Sequence, residues 1–126
     1  MSLDLKNIVE VDLPETQYYK EEVDKNQIVI HHTAGAGNAK NVINGWAKTT
    51  ERVATAFVID EKGIIHRAFS SKYWAHHLGT KLANNTTLNK KSIAIEITNW
   101  GPLIKKGEKY FNYVNKEVPA DQVVEY

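Results

Sequence analysis

Apolar and polar positions alternate in short bursts along this chain, with one stretch at helical spacing. Gln27 to Thr33 (QIVIHHT) is a β-branched run that reads as a buried central strand. Ala34-Gly35-Ala36-Gly37 breaks it. Asn38 is then placed to cap a helix in which Val42, Ile43, Trp46 and Ala47 share one face. Arg52 to Asp60 (RVATAFVID) reads as a strand, Glu61-Lys62-Gly63 as a tight turn, and Gly63 to Arg67 as the returning arm of a hairpin. Residues 70–91, with the polar tract Asn84-Asn85-Thr86-Thr87, read as a long loop, a length that marks function or mobility in a compact domain. Ser92 to Thr98 (SIAIEIT) is a second buried strand, ended by Trp100-Gly101-Pro102. Residues 108–118 read as an aromatic hairpin around Tyr110, Phe111 and Tyr113.

This order of elements predicts an α/β (α+β) domain with a central mixed β-sheet flanked by helices. Residues 1–126 form a single domain on this reading, with the acidic, mostly polar residues 1–26 as an extended arm laid over it. One convincing helix for at least four strands leaves one sheet face under-covered. Val118 to Tyr126 start an element that breaks off.

Composition narrows the function. Sixteen basic and fifteen acidic residues leave a formal charge of +1, without the basic excess of a general nucleic-acid binder. Residues 1–30 carry −4 and the remainder +5, which suits an anionic polymer or, equally, a set of solvated lysines. With no cysteine, any metal must be held by His, Asp or Glu. No apolar run approaches the ~20 residues of a membrane helix, so no membrane partner is expected. The start, Met-Ser-Leu-Asp-Leu-Lys, lacks the pattern of a secretory signal, so synthesis in the cytoplasm is expected.

The candidate chemistry lies in three histidine groups and one carboxylate. His31 and His32 end a strand, where adjacent side chains face opposite ways, so one can face a site while the other packs inward. Two buried, hydrogen-bonded imidazoles are the alternative. Glu96 sits on the face of SIAIEIT opposite Ile93, Ile95 and Ile97. A carboxylate there is solvated by a cleft, paired, or raised in pKa, and in the last case it suits a general base. A wet edge strand accounts for it equally. Trp74-Ala75-His76-His77-Leu78-Gly79 either anchors its loop to the core or grips a sugar or peptide. His66, on the hairpin, is taken as structural. The Gly35/Gly37 turn lacks the Lys-Ser/Thr of a phosphate loop, and no Gly-x-Ser-x-Gly elbow is present.

Four segments in one order, IVIHHTAG at 28–35, ATAFVIDEKGIIHRAF at 54–69, KYWAHHLG at 72–79 and KSIAIEITNWG at 91–101, resemble the zinc-dependent N-acetylmuramoyl-L-alanine amidases. That superfamily includes phage lysis amidases and peptidoglycan recognition proteins, and the chain is closely similar to prophage-type endolysin members. The resemblance implies hydrolysis of the amide between N-acetylmuramic acid and the L-alanine of the stem peptide, with Zn2+ as cofactor and peptidoglycan, or a muramyl peptide, as partner. It implies His31 as a zinc ligand, Glu96 as the catalytic glutamate, and His77, with His76, Trp74 and Thr33, at the substrate. Action on the cell wall then follows release from the cell.

Several family features are missing. The superfamily's second zinc histidine, third ligand and nearby lysine follow a further strand and a long helix, which this sequence does not contain. Thr55 and Ala56 stand where members carry Tyr and His. The resemblance thus implies an amidase domain truncated at its C-terminus, lacking its C-terminal helix and last strand. Two alternatives follow: a non-catalytic muramyl-peptide binding module, or an inactive fragment that self-associates or pairs with its missing C-terminal segment.

Overall fold

The computed structural model describes residues 7–35 and 38–124. The end of the Ala34–Gly37 turn, the start of the arm and the last two residues lie outside the described residues. Five strands form the main sheet: β1 (Val9–Glu10), β2 (Gln27–His32), β3 (Phe57–Ile59), β4 (Ile65–Arg67) and β5 (Ser92–Ile97). Their order is β1-β4-β3-β5-β2, with only β3 and β4 antiparallel, so the sheet is mixed as expected. Three short strands, β6 (Ile104–Lys106), β7 (Lys109–Phe111) and β8 (Glu117–Val118), form a separate antiparallel ribbon in place of a two-stranded hairpin.

Helix α1 (Ala39–Ala47) begins where the sequence places it. The Asn38 side chain accepts a hydrogen bond from the Asn41 amide at 2.9 Å, satisfying one of the amides a helix start leaves unpaired. Ala39 and Ile43 are fully buried in the same core as Val58 of β3, while Val42, Trp46 and Ala47 pack at its margin. That core lies against the sheet at Val58, with Ala54, Ala56 and Ala68 beside it. Leu13, Tyr18 and Phe69 close its far end, so the arm is packed in where it reaches them.

Three expectations are corrected. Among the described residues β2 is an edge strand paired only with β5, not a central one. Its apolar residues on both faces implied cover on both. In fact Ile28 and Ile30 are 65% and 64% exposed, because no described residue packs helix over their side of the sheet. The uncovered face foreseen from the helix count is this one. The strand predicted over Arg52–Asp60 shrinks to Phe57–Ile59: Ala54 pairs instead with the backbone of His76, and Arg52 has a positive φ of 53° that ends regular extension. The predicted loop at 70–91 contains helix α2 (Asn85–Lys90), although Asn and Thr are weak helix formers. Tertiary contacts hold it, chiefly through Asn89, which has no exposed surface. The Lys25 ammonium also ties the Lys90 carbonyl to that of Tyr73, at 2.7 and 2.8 Å.

Candidate active site

β2 and β5 run parallel and in register, so His31 lies directly beside Glu96. The row continues through Val58 of β3 to His66 of β4. These four residues share the core-side face, because parallel partners and antiparallel partners alike point the same way. Their backbones therefore lie side by side near the C-terminal ends of two parallel strands, where open sheets place their sites.

Glu96 is half-buried. Loss of solvent raises its pKa above the usual carboxylate value, against an opposing pull from His32. Burial lowers the pKa of His31, and the neighbouring His32 lowers it further. The His31 Nε2 lies 2.9 Å from His77 Nδ1, and His77 Nε2 lies 2.6 Å from the Ser92 hydroxyl. Burial, with smaller contributions from His31, Lys25 and His76, pushes the His77 pKa down to about 4, so this ring is neutral near pH 7. Its backbone is fixed as well: the Asn89 Oδ1 accepts from the amides of His77 and Leu78 at 2.8 and 2.9 Å.

The substrate-binding set divides. His77 joins His31, but His76 points the other way, as adjacent residues in extended chain do. The His76 ring meets the Tyr19 hydroxyl at 3.3 Å and packs edge-on against Trp74. Trp74 itself is buried, stacked on Tyr19 with centroids 4.0 Å apart, and donates to Glu21 at 2.8 Å. Trp74 and His76 thus lie in an aromatic cluster apart from the His31–Glu96 row. Thr33 closes the end of the β2–β5 pair, its hydroxyl within 3.2 Å of the Asn99 carbonyl and accepting from the Asn99 amide at 3.1 Å. His66 has its Nδ1 3.2 Å from the Ile64 carbonyl.

An open cleft of about 340 Å³ lies at the same strand ends, lined by Ile30, His31, His32, Ile97, Asn99, Gly101 and Pro102. Gly101 has a φ of +73°, and a Cβ there would come within 3.2 Å of His32 and 3.3 Å of Ala34. Only glycine lets the loop cross so close. Sequence reasoning missed Ser92 and Asn89, the partners of the histidine loop. Their signal was weak: a hydroxyl opening an apolar strand, and an asparagine in a polar tract.

A mixed sheet with one core-side helix, and with His31 and Glu96 neighbours in register near its parallel strand ends, makes an α+β domain with a candidate site at those ends. The N-acetylmuramoyl-L-alanine amidase family model (Amidase_2) matches residues 21–125, and the chain belongs to this family. No curated protein sequence matches it. Among solved structures it is similar to PlyL, with 20% identity and a TM-score of 0.60 over 71% of this chain and 55% of PlyL. It is similar to Staphylococcus aureus AmiA in complex with its ligand, with 17% identity and a TM-score of 0.57 over 77% of this chain and 46% of that one. A selenomethionine derivative of AmpD follows, with 22% identity and a TM-score of 0.52 over 79% and 66%. These likenesses establish the fold, and the chain spans about half the length of PlyL and AmiA.

Among the described residues the donor set does not complete a zinc centre. A catalytic zinc takes three protein ligands. Among the described residues no group of three His, Asp or Glu could hold a metal ion.

Proposed function

We propose that this chain is the part of a peptidoglycan amidase that carries the general base, acting on the amide between N-acetylmuramic acid and L-alanine. The observation that carries this reading is the half-buried Glu96, raised in pKa, beside His31 at the parallel strand ends of an amidase-family sheet. A carboxylate shielded in this way is a stronger base than one in water. Glu96 takes a proton from the attacking water and returns it to the departing amine of alanine, so that water adds to the carbonyl carbon and the C–N bond breaks. His31 is the one zinc ligand assigned on this reading. The described residues supply no further ligands, so no step is assigned to the metal.

The same reading takes residues 1–126 as one amidase domain with an N-terminal arm. The uncovered Ile28–Ile30 face is then the surface that a second copy, or further amidase-type chain, covers. An endolysin or prophage origin, synthesis in the cytoplasm and action on the wall after release fit this reading. No helix among the described residues is long and apolar enough to cross a membrane.

The test is release of a free α-amine from a muramyl-L-alanyl peptide. Glu96→Gln is expected to lower that rate about 10²–10⁴-fold, the usual contribution of a positioned base. Unchanged turnover would assign the base elsewhere. The incomplete donor set favours one second reading, a binding module that holds muramyl peptide without cutting it. Saturable binding with no amine release from either protein is its signature.

A further inference from the structure

We propose that His77 and Ser92 hold the His31 ring in a single tautomer, with its proton on Nε2 and its lone pair on Nδ1. The argument runs from a fixed end. The Ser92 hydroxyl lies 2.8 Å from the Leu88 carbonyl and 3.3 Å from that of Asn89, and carbonyl oxygens only accept. The one hydroxyl proton therefore goes to Leu88, and Ser92 Oγ accepts from His77 Nε2–H across 2.6 Å. In a neutral imidazole the other nitrogen carries the lone pair, so His77 Nδ1 accepts from His31 Nε2–H at 2.9 Å. Each link sets the direction of the next.

Asn89 holds the backbone of residues 77 and 78 from a fully buried position, which sets where the His77 ring departs from the chain. His77 and Ser92 are accordingly positioning residues: they act on His31, which alone of the three stands next to Glu96. What they deliver is an acceptor nitrogen of fixed identity, Nδ1. The use of that nitrogen in catalysis rests on the amidase reading. The position of the proton does not.

The experiment is a two-bond proton–nitrogen correlation spectrum of the 15N-labelled chain at mildly alkaline pH, where neutral histidines show which nitrogen is protonated. His31 and His77 are each expected to show a protonated Nε2 and a bare Nδ1. A protonated Nδ1 on His31, or averaged signals from two exchanging tautomers, overturns the proposal. In Ser92→Ala the His77 Nε2–H loses its acceptor, and the single-tautomer pattern of His31 is expected to collapse towards averaging. Ser92→Thr, which keeps a hydroxyl, is expected to restore it. An unchanged His31 pattern in a folded Ser92→Ala overturns the role of Ser92. Should Ser92→Ala fail to fold, the wild-type spectrum decides alone. Turnover assays are read separately: amine release left unchanged by Glu96→Gln refutes the amidase reading, and a fixed His31 tautomer in that same chain supports the proton chain.

Discussion

Replacing Asn89 by alanine removes the clamp on the histidine loop. Its side chain has no exposed surface, and its Oδ1 accepts from the amides of His77 and Leu78 at 2.8 and 2.9 Å. Its Nδ2 donates to the Asn85 carbonyl at 2.9 Å and reaches that of Leu78 at 3.4 Å. Alanine removes the acceptor of both amides. An unsatisfied buried donor costs about 1–3 kcal/mol, so two of them bring roughly 2–6 kcal/mol. That is a large share of the ~5–15 kcal/mol that holds a domain of this size together. With a urea dependence of about 1–3 kcal/mol per molar, the midpoint falls by roughly 2 M. Urea unfolding followed by tryptophan fluorescence reads this directly. Asn85→Ala is the control, because its side chain accepts only from Thr80 at the surface and should cost about 1 kcal/mol or less. If Asn89→Ala costs no more than this control, the argument from stranded amides is wrong.

Other perturbations test the remaining links. His77 has a pKa depressed from 6.5 to about 4, so the unfolded chain binds more protons between those values. Stability is therefore expected to fall as pH drops from about 6.5 towards 4, and a folded His77→Gln should flatten that slope. Glu96 has the opposite sign: its raised pKa makes the folded state the better proton binder, so its contribution is present at low pH and lost as pH rises through the folded value. Glu96→Gln should thus stabilise the chain at pH 7 relative to wild type, and a loss of midpoint there would contradict the burial assigned to the carboxylate. Ile30→Ser, at a position 64% exposed, should cost under about 1 kcal/mol and reduce any self-association seen by sedimentation. Ile43→Ala, fully buried, should cost about 2–5 kcal/mol. Equal costs would mean that the isoleucine face is covered after all. After dialysis against trace zinc the 126-residue chain should retain well under one zinc per molecule by elemental analysis. Full occupancy would show that a ligand set forms outside the described residues or between copies.

Local signals settled much of the fold. β-branched runs marked β2 and β5, an asparagine cap and a 3.6-residue stripe marked α1, and Glu61-Lys62-Gly63 marked the hairpin turn, where Gly63 takes a φ of +79°. These are encoded by neighbours a few residues apart, which is the range over which propensity and periodicity act. The alternation of SIAIEIT also set Glu96 on the face opposite the isoleucines before any pairing was known. Strand order was beyond that range: nothing within QIVIHHT distinguishes an edge strand from a central one, because the difference lies in what pairs with its far side. Nor could the tract Asn84–Thr87 announce a helix, since α2 stands on the burial of Asn89 against a loop twelve residues away in sequence. The site shows the same division. His31 and Glu96 stood out as residues whose chemistry conflicts with an apolar strand. That they lie side by side, that His77 turns inward to His31, and that His76 turns away towards Tyr19 were decided only by parallel register and by the opposite facing of adjacent side chains, once the sheet had brought distant segments together.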